Sequence, residues 1–156
     1  MATTTSAGVA LWKTRKLPAW LKGFNRVVMA LQRLGLAIGT MHVLSVPGRQ
    51  SGVLRSTPVS LLTVEGQRYI VSGLADADWV LNARVAGYGM LRRGRTEEHV
   101  SLIELPVEDH ARILREFPRL VPQGVPFFTR LYGVTADPVQ FAALAQTCPV
   151  FRVERR

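Results

Sequence analysis

The sequence predicts a mainly β (α+β) fold: a small antiparallel β-barrel with flanking helices. Three observations carry this. Apolar runs of strand length recur from Met41 to Glu154, separated by turns rich in glycine. Apolar residues at helical spacing are confined to the first forty positions and a few short inserts. A chain of 156 residues, 47% apolar and 20% charged, suits a single domain with a real core, so residues 1–156 are read as one unit.

The elements follow in order. Trp20, Phe24, Val27, Val28, Leu31 and Leu34 repeat at three- and four-residue spacing, with Lys22, Arg26 and Arg33 between them. Pro18 suits a first turn, and Gly35 and Gly39 an end. This makes a basic amphipathic helical segment at about residues 8–38. Its apolar stripe either packs on the domain or lies on a membrane interface. Met41 to Val46 alternates as a strand and runs into Pro47-Gly48. A second apolar run, Pro58 to Val64, leaves the following turn, which makes a hairpin. Glu65-Gly66 turns the chain again, and Gln67 to Ser72 returns. Asp76 or Asp78 is placed to cap a short helix from Trp79 to Val85, broken by Gly87 and Gly89. Tyr88 to Arg93 and Glu97 to Leu105 are strands around a Gly94-Arg95 turn. A helix after Pro106 shows Val107, Ile113, Leu114 and Phe117 on one face, with Glu108 and Asp109 in its first turn. Pro118, Pro122, Gly124 and Pro126 define a loop. Asp137-Pro138 starts a helix to about Gln146, and Pro149 to Glu154 is the last strand.

Charge is uneven. Lys13, Arg15, Lys16, Lys22, Arg26, Arg33, Arg49 and Arg55 precede Glu65, the first acidic residue, in a chain of net charge +9. Nucleic acid, an anionic membrane surface or a polyanionic small molecule could want this. Nucleic acid is set aside, because no zinc-finger spacing, aromatic-rich sheet motif or helix-turn-helix is present. There is no stretch of 18 uncharged apolar residues and no secretory signal, so the expected place is the cytoplasm, with peripheral membrane contact through the N-terminal segment compatible. The single cysteine, Cys148, reads as a buried small residue.

Chemistry of the usual kinds is missing. His42, His99 and His110 are isolated from one another, and no metal-ligand spacing exists. No nucleophile elbow, Walker loop or dinucleotide fingerprint appears, and Gly87-Tyr88-Gly89 stops short of one. What stands out is the turn Gly48-Arg49-Gln50-Ser51-Gly52-Val53-Leu54-Arg55. Glycine lets a backbone approach a ligand, and the guanidinium fork suits phosphate or carboxylate. The turn is either an anion clamp or a solvated loop with arginine on its rim. A clamp in a protein with no nucleophile or metal fits a cofactor enzyme, in which the cofactor carries the reactive atom.

Gly48-Arg49-Gln50-Ser51-Gly52-x-x-Arg55-x-x-Pro58, then strand, Glu65-Gly66, strand and Trp79-x-x-Asn82, resembles the deazaflavin-dependent nitroreductase family over roughly residues 36–105. These are actinobacterial flavin and deazaflavin oxidoreductases of the FMN-binding split-barrel type. The resemblance implies that the cofactor is coenzyme F420, an 8-hydroxy-5-deazaflavin with a phosphodiester and an anionic oligoglutamate tail. It implies that Arg49, Gln50, Ser51, Gly52 and Arg55 hold the phosphodiester and tail. Pro58, Val59 and Ser60 would run along the deazaflavin, Ser72 and Gly73 would line its phosphate side, and Trp79 and Asn82 would brace the pocket. The implied reaction is hydride transfer to the activated double bond of a small apolar enone, quinone or nitro compound. No metal is implied, and relatives often form homodimers.

This chain departs from the family around the short helix and the ring side. Asp78 and Val80 flank the tryptophan where relatives often have Pro and Tyr, and Gly73-Leu74-Ala75 lacks a cation. Tyr132 is a thin candidate for a substrate-side catalytic residue, with Phe127, Phe128 and Trp20 as candidate apolar lining. A non-catalytic lipid-, fatty-acid- or cofactor-binding protein of the same fold is the alternative, and an FMN reductase a third reading.

Overall fold

Six strands, β1 (Met41–Pro47), β2 (Leu54–Val64), β3 (Gln67–Val71), β4 (Tyr88–Arg93), β5 (Thr96–Glu104) and β6 (Val150–Arg155), close into an antiparallel barrel. Their order around it is β1-β2-β3-β6-β5-β4, with β4 returning to β1. This is the computed structural model, which describes residues 41–156 together with Arg26, Val27 and Met29. The segment at about 8–38, including Trp20, otherwise lies outside the described residues. No helix among the described residues is long and apolar enough to cross a membrane.

Strand alternation builds two cores. Inside the barrel are Leu44, Val46, Val59, Leu61, Ile70, Leu91, Val100, Leu102, Phe151 and Val153. Helix α1 (Asp78–Ala86) adds Val80 and Ala83 to the same cluster. The next residues along the strands, Leu62, Tyr69 and Val150, face the opposite way. They join Ile113, Leu114, Phe117, Phe128 and Phe141 in a second core. It is built from α2 (His110–Leu114), α3 (Phe117–Leu120), α4 (Val125–Tyr132) and α5 (Pro138–Ala142). Arg68 of β3 makes a two-pronged pair with Glu98 of β5 at 2.9 and 2.6 Å, across β6, whose Arg155 lies 3.3 Å from the same carboxylate. Hydrogen bonds from Arg68, then its charge and Arg155, hold the Glu98 carboxyl below the usual carboxylate range despite desolvation.

Several expectations need correction. Neither Asp76 nor Asp78 caps α1: the N-cap is Ala77, and no side chain accepts there. Asp78 is the first helical residue, where its charge suits the helix dipole. Gly87 ends the helix, but Gly89 is a β4 residue. A Cβ at Gly89 would stand 2.7 Å from the Ser45 carbonyl oxygen of β1, so close strand approach explains that glycine. Val107 is exposed, because the chain after Pro106 begins as a 3-10 turn (Val107–Asp109) before α2. The Pro118–Pro126 region is not a loop: Pro118 and Pro126 occupy first-turn positions of α3 and α4, where a missing N–H costs nothing. Asp137 does cap α5, accepting from Val139 N at 2.8 Å, yet α5 stops at Ala142. The chain continues through i→i+3 bonds as far as Thr147.

His110 is buried, with Nδ1 2.9 Å from the Ala145 carbonyl and Nε2 2.8 Å from that of Leu105, so it ties α2 to its neighbours and is closed to solvent. Among the described residues no His, Cys, Asp and Glu gather into a metal-holding group.

The β2–β3 turn stores strain. Glu65 has φ 51° and Gly66 φ 79°, as a two-residue primed hairpin turn needs, and only the second is glycine. Glu65→Asn is expected to stabilise the fold by about 0.5–1 kcal/mol, raising the melting temperature by roughly 1–4 °C, since Asn tolerates the left-handed region better. A melting temperature that stays put or falls in a thermal scan would show that Glu65 is not strained.

Candidate functional site: a basic turn beside an open strand edge

The turn between β1 and β2 supports itself. Gly48 N donates to the Val53 carbonyl and Gly52 N to the Gly48 carbonyl, both at 2.8 Å. Ser51 Oγ accepts from Val53 N at 3.2 Å. Gly52 takes φ 72°, which explains a glycine there. Helix α1 then anchors the turn from below. Asn82, 3% exposed, accepts from both the backbone N and Nη1 of Arg49, at 3.1 and 2.8 Å, through one oxygen, Oδ1. The Arg49 guanidinium is thereby oriented before any ligand arrives. Its Nη2 lies 3.4 Å from Oδ1 of Asp78.

The strand leaving the turn is half paired. Leu54 to Ser60 of β2 is bonded to β1, but β3 partners only Leu61 to Val64. Among the described residues, the other edge of Leu54–Ser60 therefore has no strand beside it, and its backbone donors and acceptors need partners. A cavity of about 1150 Å³ occupies this gap. Arg49, Gln50 and Ser51 line it from the turn, whereas Arg55, expected in the turn, belongs to β2 opposite Val46 and lines the cavity with Pro58, Val59 and Ser60. Ser72, Gly73, Trp79 and Asn82 line it from the far side. Val59 turns its side chain into the barrel core, and the Ser60 hydroxyl donates to Met41 Sδ at 3.1 Å, so both offer the cavity mainly backbone. Trp79 is braced by Phe151, with ring centroids 5.4 Å apart. Gly52 and Tyr132 stand outside the lining.

The wall facing the strand is aromatic. The Phe127 ring of α4 lies against Gly73, where an added Cβ would sit inside contact distance of the ring. The Tyr132 hydroxyl, from the same helix, donates to the Gly73 carbonyl. Phe117, Phe127 and Phe128 all reach the cavity. The Ser72 hydroxyl donates to the Leu74 carbonyl at 2.7 Å and accepts from Leu74 N at 3.3 Å, which bends the chain away from β3. Cys148, behind Tyr132, is buried, and desolvation pushes its thiol up to about 12, so it remains protonated and inert.

Sequence reading did not find Asp76 and Asp78 as lining residues, nor Phe117, Gln123 and Gly124. The two aspartates looked like caps, and the other three were assigned to a helix face or a loop. Only the docking of α3 and α4 beside the end of β3 brings them to the cavity.

No family model and no curated protein matches the chain. Solved structures do. One similar chain is an F420-H2 Dependent Reductase (FDR-A), at 16% identity, TM-score 0.51, over 74% of this chain and 94% of that one. Another, described as a domain-swapped dimer, is 16% identical with TM-score 0.54, over 86% of this chain and 97% of the other. Likeness at this identity establishes the architecture: a closed six-stranded antiparallel barrel with flanking helices, shared with split-barrel proteins.

Proposed function

We propose that the protein is an oxidoreductase that uses coenzyme F420 to reduce an activated double bond in a small apolar enone, quinone or nitro compound. One observation carries the reading: an arginine held in position by a buried asparagine stands beside a strand edge that no described strand covers, and both open onto one cavity. A phosphate-bearing handle suits the first, and the donor and acceptor edge of a flat heterocycle suits the second. The donor set thus fits the cofactor that the turn motif implies. The reduced deazaflavin, when bound, supplies the hydride.

The chain's own residues bind, orient and exclude water. Arg49 and Arg55 would fix the anionic handle, and the backbone of Pro58 to Ser60 would border the ring. The aromatic wall of Phe127 and Phe128 gives an apolar acceptor a dry surface on which to lie. Rate would come from holding donor and acceptor at reacting distance and from backbone N–H groups facing the negative charge that develops on the acceptor oxygen. A second reading, a non-catalytic holder of cofactor or lipid, is favoured by one detail: the Tyr132 hydroxyl is engaged with Gly73 rather than turned to the cavity.

The test is anaerobic mixing of the protein, reduced F420 and each of a quinone, a cyclic enone and a nitroaromatic. Protein-dependent return of the oxidised cofactor's absorbance, one equivalent per equivalent of acceptor, is expected with at least one of the three. Tight cofactor binding without turnover of any would favour the non-catalytic holder instead.

A further inference from the structure

The rim of the cavity carries both signs of charge. Beside Arg49 and Arg55, the exposed Asp76 and Asp78 also line it. Asp78 is 90% exposed in its side chain and sits 3.4 Å from the half-buried guanidinium of Arg49. The clamp therefore already has an anion next to it, and a second carboxylate two residues away. From Asp78, the first residue of α1, the geometry points to a charge limit on the ligand. We infer that Asp78, supported by Asp76, makes the site accept a handle with a single phosphate and gain no affinity from one that continues into a string of carboxylates or phosphates.

The inference rests on reading the turn as an anion clamp. One phosphate can take the place of Asp78 at Arg49, exchanging one exposed anion for another. Further negative charge on the handle would then meet two exposed carboxylates on the same cavity, and charges closer than about 8 Å are incompletely screened in physiological salt. The net charge of +9 still draws a polyanion in from afar. That long-range attraction fades with added salt, whereas contacts at the rim fade less.

Two ligand series separate this inference from the proposed function. The wild type and the Asp76→Asn/Asp78→Asn variant are titrated, by fluorescence, with F420 carrying one glutamate and with F420 carrying several. By calorimetry they are titrated with inorganic phosphate and with tripolyphosphate. The wild type should bind short- and long-tailed F420 within about twofold of each other. The variant should gain about two- to fivefold or more for the long tail and for tripolyphosphate, with little gain for phosphate, as befits exposed charges. Both aspartates are exposed, so the variant is expected to melt near the wild-type temperature. The inference is overturned if wild-type affinity climbs steeply with tail length. It is equally overturned if both proteins treat tripolyphosphate alike, or if neither binds it. If tripolyphosphate shows the gap and no F420 binds, the charge limit stands and the proposed cofactor falls.

Discussion

Replacing Arg49 with alanine is expected to lower the affinity for F420 by about 10- to 100-fold, the worth of a charge-assisted hydrogen bond to a phosphate. Arg49 does two things at once. Its guanidinium faces the cavity, and its backbone N and Nη1 fasten the turn to Asn82. The alanine variant keeps the backbone bond and loses the charge. Asn82→Ala does the reverse, leaving a charged but unanchored arginine, and its smaller expected loss comes from the entropy of ordering that side chain on binding. Arg55→Ala removes the second cation of the cavity and should weaken binding and flatten its dependence on salt. Titration of the three variants at low and high salt checks the assignment. Dissociation constants unchanged in Arg49→Ala and Arg55→Ala would make the turn a solvated loop after all.

The second large effect concerns the aromatic wall. Gly73 does not need to be glycine for its backbone, whose φ lies outside the left-handed region. What excludes a side chain is the Phe127 ring. Gly73→Val must push that ring, and with it α4, off the strand end to which Tyr132 is also bonded. Overpacking of this kind costs about 1–3 kcal/mol, roughly 2–10 °C in melting temperature for a domain of this size. Under the proposed function it should also abolish reduction of apolar acceptors, since the wall proposed to carry them is displaced. Phe127→Ala removes the obstacle, so the double variant should be more stable than the sum of the single losses by about 1 kcal/mol or more. Strict additivity in a double-mutant cycle would mean that the ring and Gly73 do not touch in solution.

Much of the barrel was legible because a strand with one buried face writes its period into the sequence. Met41–Pro47 and Tyr88–Arg93 begin where alternation begins, and the Glu65-Gly66 turn is set by its own chemistry. Helices were harder to read, because proline signals two things. Pro118 and Pro126 look like breakers when the chain is read alone, but each sits where a helix starts. Gly89 is similar: its reason for being glycine is a carbonyl on a strand more than forty residues earlier, at Ser45. At the candidate site, the basic turn could be named from local pattern and Asn82 only from the family resemblance, whereas the bond between them joins positions 33 residues apart. The Phe127–Gly73 contact left no local signal, since aromatic residues at helical spacing most often mark core. The acidic rim was visible as residues and misread as caps, because an aspartate before a helix is usually one.

In the proposed function, the basic turn and the edge of β2 that no described strand covers together grip an anionic deazaflavin. This is tested most directly by titrating the unaltered protein with oxidised F420, FMN and a fatty acid under one set of conditions. Submicromolar binding of F420, weakened by salt and tighter than that of FMN, is the expected result. Binding of the fatty acid alone, or indifference to F420 at any salt concentration, would contradict it.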